Sequence, residues 1–358
     1  MNLFLILWIG LLNAKTVFIN VPWWTTGPIY VTGSSQALCQ WKPNCQRLKQ
    51  VAPLTYSFES NELDLEFKVT RGTWETEATK SNGIRFPNFD LASQKETQFI
   101  SIENWADLPG LSATSAIEEF DLYSPELKRD KKIRILLPKS YQLNTKKRYP
   151  VIYAQDGQNL FDSSVGNFGM EWAFDEAITK LVNEKAIPEV IVVGIDSNEF
   201  RTREYNFPLE GQQYADFLSD TLKKHVDSKY RTLSSRENTF HMGSSYGAII
   251  SFETLWFHSE VFSRAACLSF PAQATNSYVF DFIDQQKLQN PEVYFYLDHG
   301  MIGSDAGYFQ HTSLFVTKLR EQGFNRDRLT YNLFPYADHR EVDWARRLPG
   351  VLKNLLLQ

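Results

Sequence analysis

The sequence predicts two domains of different class, a small all-β, immunoglobulin-like sandwich followed by an α/β domain with a doubly wound, mostly parallel sheet. Three observations carry this. Residues 16–110 are short alternating apolar runs, such as 17–21 and 63–69, separated by Gly, Pro, Asn and Ser, which is how half-buried strands and their turns read. From residue 116 onward, apolar strand-length runs alternate with helix-length amphipathic ones, which implies parallel strands covered by helices on both faces. Within that alternation, Gly243-Ser244-Ser245-Tyr246-Gly247 stands between an apolar strand and an apolar helix, the setting in which a serine on a sharp turn becomes a nucleophile.

The chain begins with a run from Met1 to Leu12 that is apolar except for Asn2, followed by Ala14. This reads as a signal peptide over 1–15, too short to span a bilayer, and predicts a secreted or periplasmic protein. Cys39 and Cys45 flank a short turn and would pair in an oxidising compartment, whereas Cys267 sits in an apolar run as a buried, unreactive thiol. The 358 residues carry a formal net charge of -5 and no basic block longer than Lys146-Lys147-Arg148, so neither nucleic acid nor an anionic membrane is an expected partner. Nine Trp exceed what a core of this size needs and leave rings to stack on a flat ligand such as a sugar.

Residues 29–33 with Trp41, residues 65–75, and Asn82-Gly83 leading to Pro87-Asn88 resemble a starch-binding carbohydrate-binding module. The resemblance implies that Trp41 and Trp74 stack on glucose units while Lys68, Glu75 and Asn88 bond hydroxyls. Phe89 stands where that family often carries Arg, and a module that only packs beside its neighbour fits the same stretches. A Gly-, Pro-, Ser- and Thr-rich linker at 109–115 precedes the second domain, 116–358. Its expected strands are 132–137, 149–155, 189–195, 238–243, 264–269, 292–298 and 329–334. Its expected helices are 172–184, 212–226, 246–257, 277–286, 308–322 and 343–357.

A serine nucleophile needs a base and a group to orient the base, and on α/β-hydrolase folds these follow in the order Ser, acid, His. Four His follow Ser245, and only His339 lies in a loop at the carboxyl end of a strand, where open α/β sheets gather their ligands. Asp298 and Asp305 both qualify as the acid. Asp305 is preferred because a glycine-bearing loop can bring it under the imidazole. Tyr246 supplies one oxyanion N–H, and the turn after strand 149–155 should supply the other.

That turn, Asp156-Gly157-Gln158-Asn159-Leu160-Phe161-Asp162, together with Glu171-Trp172, residues 192–196, 201–205 and 229–232, the Ser245 turn, His339, Trp344 and Arg347-Leu348-Pro349, resembles the Putative esterase family of enterochelin, feruloyl and acetyl-xylan esterases. The resemblance runs from about 133 to 357. It implies an oxyanion N–H at Gln158 and an acyl pocket walled by Asp156 and Trp172. The family's acid follows a Gly-Thr pair, whereas here Gly300-Met301-Ile302-Gly303-Ser304-Asp305 replaces it.

No metal or other cofactor is expected, since His-x-x-x-His, Cys clusters, phosphate-cradling Gly runs and the alternating carboxylates of a calcium loop are all missing from the sequence. The expected function is an exported serine esterase that forms an acyl-enzyme on Ser245, acting on esters of a sugar or polysaccharide. An acyltransferase, a siderophore esterase and a non-catalytic glucan-binding protein are the alternatives. The sequence does not specify an oligomeric state.

Overall fold

The computed structural model describes residues 14–358 apart from 63, 92–94, 114–115 and 287. The expected signal peptide therefore lies outside the described residues, save for Ala14 and Lys15. The chain divides into two compact units, Met1–Gly110 and Leu111–Gln358.

In the first unit, Lys49–Ala52, Thr55–Ser60, Lys15–Asn20 and Thr97–Ser101 form one four-stranded sheet in that order, and Gln46–Arg47, Tyr30–Gly33, Glu66–Thr70 and Phe89–Asp90 form another. Alternation in the sequence becomes alternation in burial. Val17, Ile19, Val31, Phe67 and Val69 are fully buried and join one core with Trp105, as expected where two sheets interdigitate. Cys39 and Cys45 are bonded across 5.7 Å between Cα atoms. The turn they enclose starts with Cys39, Gln40 and Trp41, all at positive φ (57°, 48° and 70°).

The second unit is an α/β-hydrolase fold on an eight-stranded sheet. Its strands are β1 (Ile117–Ser124), β2 (Arg129–Leu136), β3 (Val151–Gln155), β4 (Ile191–Ile195), β5 (Thr239–Ser244), β6 (Arg264–Leu268), β7 (Tyr294–Gly300) and β8 (Leu329–Phe334), in the spatial order β1-β2-β4-β3-β5-β6-β7-β8. β1 and β2 pair antiparallel, as do β2 and β4, and every later pair is parallel. β3, β4 and β5 are buried along their whole length, which is why they read as continuous apolar runs.

Three features escaped sequence reading. β1 carries Glu118, Glu119 and Asp121 on an edge with little burial, so it protects the sheet from edge pairing and lacks an apolar signature. The helix expected over 212–226 extends from Phe207 to Lys229, with π-helical turns at Phe207–Gly211 and Phe217–Leu222. A short helix, Arg201–Glu204, ends on a tertiary ion pair: Lys131 Nζ lies 2.5 Å from Glu204 Oε2, with both side chains buried. Lys131→Met should destabilise the fold by about 3–5 kcal/mol by leaving Glu204 buried with less compensation. Adding Glu204→Leu should recover much of that loss in urea unfolding.

Candidate active site

β5 ends at Ser244 and the helix Tyr246–Phe257 starts immediately after Ser245, leaving one residue to reverse the chain. Ser245 does so at φ 56° and ψ −129°, a region L-residues adopt only under constraint. Its N–H is held by the Leu268 carbonyl at 3.0 Å. A Cβ on Gly243 would sit 2.4 Å from the Gly247 carbonyl oxygen, so the strand and helix can approach this closely only through glycine. Ser245 is half-buried, with Ser244 before it and Gly247 two residues on both buried.

His339 lies between β8 and the helix Glu341–Leu357. Its Nδ1 is 2.7 Å from Asp305 Oδ1. Asp305, in the short 3-10 helix Gly303–Tyr308 after β7, is fully buried. Burial works against its charge, but hydrogen bonds with His339 and Ser269 and the nearby Arg347 outweigh it and hold the carboxyl below the usual carboxylate range. Asp298 is placed differently: its oxygens meet Arg347 at 3.0 Å, the Ser269 N–H at 2.9 Å and the Tyr296 hydroxyl at 3.0 Å. Complete burial raises its pKa, and Arg347 only partly offsets this.

The turn after β3 is held by side-chain hydrogen bonds. Asp156 adopts a left-handed conformation (φ 57°) and pairs with Arg201 through two bonds of 2.7 and 2.8 Å. The Gln158 amide exchanges bonds of 2.9 and 3.0 Å with Ser197. Tyr246 and Gln158 both lie in the first turns of their helices, where backbone N–H groups have no acceptor within the helix. Asp156 and Trp172, expected to wall an acyl pocket, are 5% and 1% exposed. The Asp156 carboxylate is taken up by Arg201, and the Trp172 ring lies 5.4 Å from Trp344, which is itself 5.1 Å from His339.

Sequence reasoning assigned no role to Asp338, although it precedes the candidate base. Its carboxylate accepts the His339 N–H at 2.7 Å and the Ser304 N–H at 2.9 Å, joining the His and Asp loops. Ser269 was missed as well, since nothing in Leu268-Ser269-Phe270 marks it out. Among the described residues, no group of three or more His, Cys, Asp or Glu could hold a metal ion, and no helix is long and apolar enough to cross a membrane.

In the first unit, Trp41 and Trp74 are half-buried and Glu75 is exposed. Hydrogen bonds from its own backbone N–H and the Thr73 hydroxyl lower the Glu75 pKa. Lys68 is committed internally, with Nζ 2.7 Å from Glu77 and 2.5 Å from the Phe86 carbonyl. The Asn88 amide bonds Glu66 at 3.1 Å.

Next to Trp172, both Glu171 carboxyl oxygens are buried without a partner, and burial, aided by Asp175 and Asp162, raises its pKa to about 9. The folded value lies above the ordinary value of 4.5, so this carboxyl's contribution to stability is complete below about pH 4.5 and is lost as the pH climbs toward 9. The melting temperature of Glu171→Gln relative to wild type should therefore rise between pH 5 and pH 9, by about 2–4 °C for each kcal/mol of relief.

The family model described as Putative esterase matches residues 124–355, and the chain belongs to that family. Among solved structures, an enterochelin esterase from Shigella flexneri is similar at 11% identity and a TM-score of 0.56, covering 92% of this chain and 88% of that one. A ferulic acid esterase from the anaerobic fungus Anaeromyces mucronatus is similar at 18% identity and a TM-score of 0.54, over 67% of this chain and 90% of that one. An IroE-like serine hydrolase from Shewanella oneidensis is 19% identical, with a TM-score of 0.52, over 67% and 80%.

Proposed function

We propose, from the chain's membership of the Putative esterase family, that this ester hydrolase works through a serine nucleophile. The observation that carries the reading is the 2.7 Å contact between His339 Nδ1 and Asp305 Oδ1, made by loops that leave the same sheet end as the strained Ser245 turn. Asp305 holds the imidazole with its Nδ1–H inward, so Nε2 is the lone pair that faces outward to take a proton. Ser245 Oγ attacks the ester carbonyl as His339 accepts its proton, and the oxyanion is met by the N–H groups of Tyr246 and Gln158. His339 then protonates the departing alcohol. Water, deprotonated by the same imidazole, cleaves the acyl-enzyme. Ser245→Ala should lower kcat by about 10⁴–10⁶-fold, and Ser245→Ala/His339→Ala should fall little further because the two act as a unit. Near-wild-type turnover of a chromogenic short-chain ester by Ser245→Ala would overturn the mechanism.

The substrate we infer is an ester on a sugar or polysaccharide, in line with the ferulic acid esterase likeness. A siderophore ester is the second reading, favoured by the breadth of the enterochelin esterase likeness, which covers 92% of this chain. Screening acetyl, feruloyl and cyclic catecholate esters separates the two. The Cys39–Cys45 bond and the apolar start of the chain support export to an oxidising compartment.

Glucan binding by the first unit would rest on Trp41, Trp74 and Glu75, because Lys68 is internally paired. If it operates, the full-length protein is retarded in a gel containing soluble starch or xylan. Trp41→Ala/Trp74→Ala should then weaken binding by about ten- to thirty-fold. No retardation of the wild type by either polymer would leave the unit a packing domain.

A further inference from the structure

We propose that Ser269 is a positioning residue for the acid of the triad: its hydroxyl donates its single proton to Asp305 Oδ2 and thereby fixes the carboxylate that holds His339. The inference rests on the reading of Asp305 and His339 as a catalytic pair. It starts from the donors and acceptors around one oxygen. Ser269 Oγ lies 2.8 Å from Trp344 Nε1, 2.7 Å from a terminal nitrogen of Arg347 and 2.6 Å from Asp305 Oδ2. An indole N–H and a guanidinium can only donate, and an ionised carboxylate can only accept. The two donors fill both lone pairs of Oγ, so its proton has one direction left, toward Asp305. Ser269 is fully buried, and no solvent competes for that proton.

The residue is itself held from below. It is the first residue after β6 and sits at φ 45°. Its N–H bonds Asp298 Oδ1 at 2.9 Å, the oxygen that also meets Arg347 at 3.0 Å. Asp298, the other carboxylate the sequence offered as the acid, thus anchors both the backbone of Ser269 and the cation that orients its hydroxyl. Oδ2 of Asp305 receives a second donor, the Gly300 N–H at 2.7 Å. Two donors from the ends of adjacent strands, β6 and β7, pin one carboxylate oxygen and leave Oδ1 for the imidazole. A Cβ on Gly300 would lie 2.9 Å from Oδ2 and 2.0 Å from the Ala337 carbonyl oxygen, so this second donor reaches Asp305 only from a glycine.

A residue that acts through Asp305 has an effect that disappears when Asp305 is gone, whereas a residue that merely supports the fold costs the same in both backgrounds. The test is a kinetic double-mutant cycle on the full chain with a soluble ester. Ser269→Ala is expected to lower kcat by about 10–100-fold, the scale of a small misplacement of a catalytic group, with KM within about two-fold of wild type. In the Asp305→Ala background the same change should alter the residual kcat by less than about two-fold. Equal fractional losses in both backgrounds, or a Ser269→Ala enzyme within about two-fold of wild type, would overturn the proposal. Should Ser269→Ala fail to fold, Ser269→Cys keeps a similar volume with a weak donor and is read in the same cycle. Ser245→Ala and Asp305→Ala run alongside: near-wild-type kcat in either sinks the triad reading itself, while a large loss in both with an additive cycle sinks only the role of Ser269.

Discussion

The structure of the catalytic unit depends on a single backbone reversal. Ser245 turns the chain from β5 into the helix Tyr246–Phe257 in one residue, at dihedral angles that a side-chain-bearing residue reaches only under constraint. The constraint has three sources: the glycine-only approach of Gly243 to Gly247, the bond from the Ser245 N–H to Leu268, and a helix buried on nearly every side. A helix apolar all round cannot shift toward solvent, so the strain is carried by the core and not relieved at the turn. What this secures is a half-buried Ser245 next to a Tyr246 N–H at a helix start.

Around that turn, charge is placed by burial and partners. Asp298 and Asp305 lie seven residues apart and are both buried, yet they differ in what faces them. Asp298 meets a guanidinium, a backbone N–H and a tyrosine hydroxyl, and complete burial still raises its pKa. Asp305 has His339 on one oxygen and two donors on the other, and its pKa falls. Environments that separate like groups in this way are how a fold divides roles between identical carboxylates. Asp156, with its paired bonds to Arg201, is a third buried carboxylate, whose charge serves to hold the turn after β3 in its left-handed start.

The first unit applies different physics to a similar proportion of aromatic residues. Trp105 is fully buried and completes the core between the two sheets, whereas Trp41 stands on a left-handed turn closed by a disulfide. Holding successive residues at positive φ is costly for L-residues, and the cross-link limits the alternatives open to that turn. Lys68 is drawn inward by Glu77, so this surface offers a ligand fewer free polar groups than the resemblance to a carbohydrate-binding module implies.

Periodicity was enough to read the α/β order, the buried central strands and the strand–turn–helix around Ser245, because burial on both faces leaves continuous apolar runs and a strained turn demands glycine at defined spacing. The place of His339 could also be read, from its loop at a strand end. Other features were not legible, since they depend on partners distant in the chain. The edge strand β1 is charged and lacks an apolar pattern, the helix Arg201–Glu204 is stabilised by Lys131 some seventy residues away, and the internal pairing of Lys68 comes from Glu77 and Phe86. The choice between Asp298 and Asp305 belongs with these. Both are loop-proximal aspartates in the sequence, and only the folding of β6, β7 and the last helix sets Arg347 against one and His339 against the other. Local pattern reports which face of an element is buried, whereas the partner of a buried charge is chosen by whichever strand ends the sheet brings together.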